Sequence, residues 1–189
     1  MSRSSTIQPL LLMLVFFGPL ALAVVAFYGP WEWVPRGTPH GELIQPPLPL
    51  PPGALTTRSG DRTAPDWYRE RWSLVYARTA QCTEPCLVEL NRLNQVRLAL
   101  GDDRQRVQLV FLFAGAGPEL PPEASVLTAR LDDAAGTAML ELLGAERVRD
   151  GRIYIADPLG NLVMTYPPGT EQRGIFEDLE RLLTVTAIG

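Results

Sequence analysis

One segment near the start of the chain is longer and more apolar than an ordinary core helix requires. Between Arg3 and Glu32 there is no charged side chain, and Ile7 to Tyr28 read IQPLLLMLVFFGPLALAVVAFY. As a helix, these 22 residues would extend about 33 Å at about 1.5 Å per residue, enough to cross a hydrocarbon core about 30 Å thick. The segment therefore predicts a transmembrane anchor at residues 7–28, preceded by a short cytoplasmic tail at residues 1–6.

A cleaved signal peptide is the alternative interpretation of this segment. Ala21-Leu22-Ala23 offers the small-x-small pattern of a cleavage site. The apolar run continues beyond that site to Phe27, which favours an uncleaved anchor. Because Arg3 is the only charged side chain before the run, we expect the N-terminus inside and the remaining chain outside the cytoplasm. The expected location is a bacterial inner membrane, crossed once, with the C-terminal domain in the periplasm.

The remaining composition excludes several kinds of chemistry. All 17 basic residues are arginine, so a Schiff-base lysine and a nucleotide-binding lysine are absent. His40 is the one histidine, which argues against a histidine-rich zinc site and against a Ser-His-Asp triad. The net charge of -4 argues against nucleic-acid binding, which normally requires a basic surface. Since 46% of the residues are apolar, the chain can form a folded core. The residues left as candidates for a reactive site are the two cysteines, Cys82 and Cys86.

Residues 29–66 are predicted to be a proline-rich linker outside the membrane. Residues 30–52 contain eight of the 18 prolines and end in the run PPLPLPP. Proline locks the backbone in an extended form, so we expect a polyproline-type strut or a strand-edge wrap rather than a helix. His40 lies in this segment and is expected to be a solvated loop residue. A copper ligand folded back onto the domain is the alternative for His40.

The rest of the chain, residues 67–189, predicts one domain of alternating strands and helices. Apolar runs rich in β-branched and aromatic residues predict strands, and apolar residues at every third or fourth position predict helices. In chain order the predicted elements are a strand at 71–77, a helix at 86–100, a strand at 107–113, a helix from the Asp132-Asp133 cap to Leu143, strands at 152–156 and 162–166, and a helix at 171–184. A βαβ unit followed by a β-hairpin and a helix is the thioredoxin arrangement. The predicted fold class is therefore α/β and thioredoxin-like, on a single N-terminal transmembrane helix.

The two cysteines lie at the junction of the first predicted strand and helix, in Cys82-Thr83-Glu84-Pro85-Cys86. Residues four apart at a helix start face the same side, so their sulfurs can form a disulfide or bind one soft metal ion. The N–H groups and dipole of a helix N-terminus also favour a thiolate. The plain alternative is a disulfide that only ties the loop to the helix. Because a bridge across so short a loop restricts the unfolded chain little, the position favours a functional pair.

The cysteine motif and its surroundings resemble the Sco/SenC family. The features that carry the resemblance are the apolar anchor, the segment WSLVY, the Cys82-x-x-x-Cys86 motif and the amphipathic helix after it. The hairpin RIYIADPLGNLVMTY, residues 152–166, is similar to the late strand-turn-strand of that family. Members are thioredoxin-fold copper chaperones and thiol–disulfide proteins of cytochrome c oxidase assembly. The resemblance covers residues 67–184 and implies a thioredoxin-like domain of the glutaredoxin or Sco type.

The resemblance also implies a site and a role. Cys82 and Cys86 would be both the catalytic cysteines and the metal ligands, with copper as Cu(I). The role would be Cu(I) delivery or reduction of copper-ligand cysteines, with a cytochrome c oxidase subunit or another assembly factor as partner. The chain departs from the family at two positions, because the copper-ligand histidine would fall at or near Arg149 and the proline after the first cysteine is Thr83. Arg149 would instead place a cation near the sulfurs, which favours the thiolate and dithiol exchange.

Two other functions fit the same residues. The first is a periplasmic thiol–disulfide oxidoreductase of wider specificity. Against it, Cys-x-x-x-Cys is not the usual thioredoxin spacing, and Gly151 stands near where thioredoxins carry a cis-proline. The second is a non-catalytic module that docks in oxidase assembly, which the missing histidine favours. Whether the chain is an enzyme stays open between these functions.

Overall fold

The computed structural model describes residues 7–28, 39–57, 59–115, 117, 126–149 and 151–185. The chain divides into two compact units, Met1–Thr38 and Pro39–Gly189. In the first unit, helix α1 runs over Ile7–Tyr28 and so has the bounds of the apolar segment. Within α1, the structure describes the side chains of residues 12–21 and 24. Among the described residues, no helix is long and apolar enough to cross a membrane. The membrane anchor stays a prediction.

The second unit contains all the other described strands and helices. Its elements are β1 (Glu42–Pro49), β2 (Trp72–Arg78), α2 (Glu84–Ala99), a 3₁₀ helix (Gly101–Arg106), β3 (Val107–Phe113), β4 (Val126–Arg130), α3 (Ala134–Leu143), α4 (Ala145–Arg149), β5 (Arg152–Ala156), β6 (Asn161–Tyr166) and α5 (Gln172–Val185). The predicted strands at 107–113 and 152–156 have the observed bounds. The other predicted elements are confirmed with small shifts at their ends.

The six strands form one sheet in the order β1-β6-β5-β2-β3-β4. Strands β2, β3 and β4 are parallel, whereas β5, β6 and β1 each run antiparallel to their inner neighbour. Parallel neighbours need a crossover connection, and α2 provides it between β2 and β3. This βαβ unit, with the β5–β6 hairpin and α5 after it, confirms the predicted α/β arrangement.

The sheet is buried on both faces, which explains why its central strands are almost wholly apolar. In β2, Trp72, Leu74 and Tyr76 face the side of α2 and α5, while Val75 and Ala77 face the opposite side. The first face is covered by apolar side chains of α2 and α5, namely Leu90, Leu93, Val96, Ile175 and Leu179. The second face is covered by Met139 and Leu143 of α3. The carboxyl end of β2 therefore meets the start of α2 on the first face.

The proline-rich segment forms part of the folded domain. From Pro39 onward it belongs to the second unit, so the domain begins earlier than the predicted boundary at residue 67. Of the two predicted forms, the strand-edge wrap is the observed one, because β1 pairs with β6 and places Leu48 opposite Leu162. The prolines of β1 cannot donate hydrogen bonds, but a strand at a sheet edge needs donors on one side only. Leu50 follows β1 into the core.

Strand β4 is an element that the sequence pattern does not reveal. It has five residues, of which Ala129 alone is buried, so it carries no long apolar run. One edge pairs with β3. The other is covered by residues 56–57, where the Arg130 N–H donates to the Thr56 carbonyl at 2.8 Å. With β1 and β4, the described sheet has six strands instead of the predicted four.

Candidate functional site

The two cysteines lie where the chain leaves strand β2 and enters helix α2. Strand β2 ends at Arg78 and α2 begins at Glu84, so Cys82 lies in the connecting loop and Cys86 in the first helical turn. The two residues form a disulfide, with their Cα atoms 5.2 Å apart, a usual separation for such a bond. The structure thus brings the two predicted site residues together.

The start of α2 follows from its local sequence. Pro85 suits the first turn because its backbone angle is already helical and its missing N–H would have no partner there. The Cys86 and Leu87 N–H groups both donate to the Thr83 carbonyl, at 2.9 and 3.2 Å. The Thr83 side chain makes no capping hydrogen bond. The disulfide therefore ties down a helix start that has no side-chain cap.

The two cysteines differ in exposure. Cys86 is fully buried in the core between the sheet and α2. Cys82 is half-buried at the edge of that core. Residues 83–85 beside it are exposed, and so are the apolar side chains of Leu87 and Val88. A partner molecule therefore meets Cys82 before Cys86, next to a small apolar surface.

A buried tyrosine and a half-buried arginine lie at the carboxyl end of β2. Tyr76 stacks on Phe111 with ring centroids 5.5 Å apart, and Arg78 Nη1 donates to the Tyr76 hydroxyl at 3.5 Å. Gly151 lies against both side chains, since a Cβ there would be 2.6 Å from the Tyr76 hydroxyl and 3.2 Å from Arg78 Nη1. Its φ of 84° also favours glycine. This glycine leaves the space that the Arg78 guanidinium occupies.

The described contacts of His40 are with α5 and not with the cysteines. Its backbone N–H donates to Asp178 Oδ2 at 2.8 Å. In its ring, Nδ1 lies 3.5 Å from Asp178 Oδ1 and Nε2 lies 3.7 Å from Glu177 Oε2. With 45% of its side chain exposed, His40 is partly solvated, as predicted, but it is tied to α5. The alternative of a ligand folded back towards the sulfurs has no support in these contacts.

The metal ligands that this site offers are the two cysteine sulfurs. In the part of the chain that the structure describes, no group of three His, Cys, Asp or Glu residues is placed to hold a metal ion. Arg149, which stands at or near the histidine position of the resembled family, is the last residue of α4, and its side chain is outside the described residues. Two thiolates suit soft Cu(I), whereas Cu(II) prefers nitrogen ligands.

A buried carboxylate on α5 escaped the sequence analysis. Asp178 Oδ2 accepts hydrogen bonds from the N–H groups of His40 and Gly41, at 2.8 and 3.0 Å, and from the Tyr166 hydroxyl at 3.1 Å. Burial, together with the Asp178 charge and hydrogen bond, raises the pKa of Tyr166 well above its ordinary value. The available signal was the position of Asp178 on the apolar stripe of α5, directly before Leu179. Asp178 holds the beginning of the domain against its last helix.

The chain matches the sequence model of a protein family. The family model is described as "Transmembrane-like, thioredoxin-like, C-terminal domain", and it matches residues 72–186. These residues include the cysteine pair and most of the sheet. No curated protein matches the chain in sequence.

Several solved structures share the fold at low sequence identity. Apo Sco1 from Thermus thermophilus is 20% identical with a TM-score of 0.61, over 78% of this chain and 99% of that one. Yeast Sco1 with copper bound is 16% identical with a TM-score of 0.60, over 76% and 97%. A putative thiol:disulfide interchange protein DsbE from Chlorobium tepidum is 15% identical with a TM-score of 0.55, over 72% and 96%. At such identities the likeness establishes the thioredoxin-like fold.

Proposed function

The chain belongs to the transmembrane-like, thioredoxin-like, C-terminal domain family, and from its cysteine pair and its resemblance to the Sco/SenC family we propose a membrane-anchored, Sco-type thiol–disulfide protein of cytochrome c oxidase assembly. Cys82 and Cys86 are its reacting residues. The observation that carries the proposal is their disulfide at the strand–helix junction, in which a half-exposed sulfur is bonded to a buried one. A bond across so short a loop stabilises the fold less than a bridge that closes a longer loop would.

The difference in exposure supports separate roles for the two cysteines. In the reduced chain, the Cys82 thiolate attacks one sulfur of a partner disulfide, which forms a mixed disulfide and releases one partner thiolate. The Cys86 thiolate then attacks Cys82 Sγ, which closes the Cys82–Cys86 disulfide and releases the second partner thiolate. Two electrons pass from the chain to the partner. The two protons that the cysteines lose balance the two that the partner's thiolates take up, and a second dithiol must reduce the chain again.

The partner is an oxidase subunit whose copper-ligand cysteines need to be reduced, or another assembly factor. This part of the proposal comes from the resemblance of the sequence to the Sco/SenC family. The exposed Leu87 and Val88 beside Cys82 support it, because they offer a polypeptide partner an apolar contact next to the reacting sulfur.

Carriage of Cu(I) is a second candidate function. It is favoured by the convergence of two sulfur ligands, whose Cα atoms lie 5.2 Å apart, and by the softness of thiolates. The similar yeast Sco1 structure was determined with copper bound. In this function Cu(I) is cargo that both sulfurs of the reduced pair hold and then pass to the partner.

The anchor and the compartment belong to the same proposal. The 22-residue length of α1 suits a single crossing of the inner membrane. A periplasmic domain would work in an oxidising compartment, where a disulfide persists unless a dedicated dithiol reduces it. The general thiol–disulfide oxidoreductase and the docking module are the competing outcomes of the tests below.

The decisive experiment replaces both cysteines in the full chain, expressed in a host strain that lacks it. We expect Cys82→Ser/Cys86→Ser to lose oxidase activity per unit of membrane protein, because neither electrons nor Cu(I) can then be passed on. Thr83→Ala is the matched control, since it alters an exposed side chain between the cysteines that makes no capping hydrogen bond. Full oxidase activity in the double variant would leave only the docking function.

A second measurement separates the redox function from copper carriage. In Cys86→Ser the mixed disulfide on Cys82 cannot be resolved, so we expect an oxidase subunit or assembly factor to be trapped and released by reductant. Cu(I) binding by the reduced full chain, measured against a competing chelator, tests carriage. Trapping of many unrelated proteins would favour the general oxidoreductase.

A further inference from the structure

Arg78 is a half-buried arginine without an acidic partner among the described residues. Its Nε–H group is buried and donates no hydrogen bond to the described residues, and its Nη1 donates to the Tyr76 hydroxyl at a long 3.5 Å. Other arginines of the domain pair with carboxylates, namely Arg92, Arg106, Arg130, Arg152 and Arg173. A partly desolvated cation is unfavourable unless an anion balances it, so the arrangement at Arg78 is incomplete in the disulfide form.

The fold places this cation at the same end of the sheet as the cysteine pair. Side chains alternate between the faces of a strand, so Arg78, the last residue of β2, lies on the same face as Tyr76. That face is the one on which Cys86 is buried, in one core cluster with Tyr76. The chain then reaches Cys82 four residues after Arg78. Because α2 packs on this face and starts at the carboxyl end of β2, the guanidinium and the sulfurs lie at the same end of the sheet.

The neighbouring backbone is shaped to admit the guanidinium. Gly151 approaches Arg78 so closely that a Cβ would lie 3.2 Å from Nη1. The Thr79 N–H, directly after Arg78, donates to the Val148 carbonyl at 3.3 Å, which attaches the end of β2 to α4. The residue after Arg78 is therefore attached to α4 and the Arg78 guanidinium lies against Gly151, while no described carboxylate pairs with its charge.

We propose that Arg78 is a positioning residue whose guanidinium balances the negative charge that appears at Cys82 and Cys86 when their disulfide is reduced. The inference rests on the proposed thiol–disulfide function. In the disulfide the two sulfurs are uncharged, and Arg78 has no acidic partner among the described residues. Two-electron reduction breaks the S–S bond; one sulfur takes up a proton and the other remains a thiolate, which supplies the missing anion. Arg78 therefore favours the reduced pair and makes the disulfide easier to reduce.

The test is the redox equilibrium of the purified full chain with glutathione, in detergent, at pH 7 and with a chelator to exclude metal. The reaction is protein disulfide plus two glutathione thiols giving the protein thiol–thiolate pair, glutathione disulfide and one released proton, so electrons, atoms and charge balance. We expect Arg78→Met to shift the equilibrium constant about tenfold towards the protein disulfide, the effect of losing one nearby opposite charge. For a two-electron couple, tenfold corresponds to about 30 mV.

Matched variants separate charge from structure. Arg78→Lys keeps the positive charge, and we expect it to stay within about threefold of the unmodified chain. Arg71→Met removes an exposed arginine next to the other end of β2 and is expected to change the constant less than twofold, because an exposed charge at a distance is screened. If Arg78→Met fails to fold, Arg78→Gln provides the neutral replacement.

Two outcomes would overturn the inference. One is an unchanged equilibrium constant in a folded neutral variant, and the other is an equal shift in Arg78→Lys and Arg78→Met. The measurement needs no oxidase and no protein partner. A failure of the proposed function, seen as full oxidase activity in the double-serine chain, is therefore distinguishable from a failure of the inference about Arg78.

Discussion

Helices α2 and α3 begin in different ways. At α3, the Asp133 carboxylate accepts hydrogen bonds from the Gly136 N–H at 2.7 Å and from the Thr56 hydroxyl and N–H at 2.6 and 3.1 Å. At α2, the Thr83 side chain makes no such bond, and a disulfide between the residue before it and the first turn holds the start. The α3 start is permanent under any redox condition, whereas the α2 start has a link that thiol exchange can open.

This difference separates a structural helix start from a reactive one. The Asp133 cap also joins α3 to residue 56, which covers the edge of β4, so the cap serves the fold. The α2 start instead combines a half-exposed sulfur, exposed neighbours and an arginine that lacks an acidic partner among the described residues. The variants below should affect chemistry at one helix and stability at the other.

The largest expected effect is on thiol exchange. Cys82→Ser should reduce the rate of disulfide reduction in a model peptide to background, a loss of about a thousandfold or more, because the attacking thiolate is gone. Asp133→Ala should leave this rate within about twofold, since a helix cap at α3 touches no reacting atom. Stopped-flow measurement with reduced full chain tests both, and an equal loss in the two variants would remove the distinction between the helix starts.

The next effect is on stability when the disulfide is reduced. Closing so short a loop stabilises a chain by about 2 kcal/mol on the loop-entropy model, so reduction should lower the free energy of unfolding by no more than this. Hydrogen exchange should accelerate at Cys86 and Leu87 and stay unchanged at Gly136. Urea unfolding with and without reductant measures the first, and exchange mass spectrometry measures the second. Equal acceleration at both helices would indicate that the disulfide supports the whole fold.

Removing the α3 cap should cost stability without redox dependence. Asp133→Ala deletes the acceptor of the Gly136 and Thr56 hydrogen bonds and should lower the free energy of unfolding by about 1 kcal/mol. Asp133→Asn, which retains an acceptor oxygen, should recover part of that loss. We expect the same difference in oxidised and reduced chain by urea unfolding. A cost that appears in one redox state alone would couple the two helix starts.

The cap should also weaken in acid. Burial alone would raise the pKa of Asp133, but hydrogen bonds from Thr56 and Gly136 outweigh it and hold the pKa below its ordinary value. A carboxylate with a depressed folded pKa contributes stability that is present above the unfolded value, about 3.9, and is lost as pH falls through the folded value. Between pH 5 and pH 2, Asp133→Asn should therefore lose less stability than the unmodified chain. Identical acid curves would contradict this assignment.

The smallest effect should come from Thr83. Because its side chain makes no capping hydrogen bond, Thr83→Ala should change the free energy of unfolding by less than about 0.3 kcal/mol, well below the usual cost of losing a cap. Thermal unfolding of oxidised chain tests this prediction. A loss as large as that of Asp133→Ala would mean that α2 also depends on a side-chain cap.

Much of the domain follows from sequence pattern because the signals are local. The run Val107–Phe113 is apolar at nearly every position, as expected of a strand buried on both faces, and it forms β3 with those bounds. The Cys82-x-x-x-Cys86 spacing next to a predicted helix start is equally local, and the disulfide forms there. The Asp133 cap of α3 was also predicted, because capping depends on a few adjacent residues.

The features that the sequence pattern left open depend on distant partners. The segment that forms β1 contains three prolines, a composition typical of a linker. It is a strand because it pairs with the edge of β6. His40 is a plain loop histidine by sequence, and its place is set by Asp178, 138 residues away. The cation near the sulfurs was predicted to be Arg149, whose side chain lies outside the described residues. Arg78 is another arginine at that end of the sheet, and its buried Nε has no hydrogen-bond partner among the described residues.

The sequence by itself determined the order of the longer helices and of the four inner strands, the apolar segment before them and the cysteine pair at a helix start. Each of these depends on periodicity or spacing within about one element length, which the chain carries without its tertiary structure. The tertiary structure decided which cysteine is the more exposed. It also decided that the proline-rich segment adds an edge strand to the sheet, and that Arg78 faces no described carboxylate. Burial and charge balance are sums over residues far apart in sequence, so they exist only once the chain has folded.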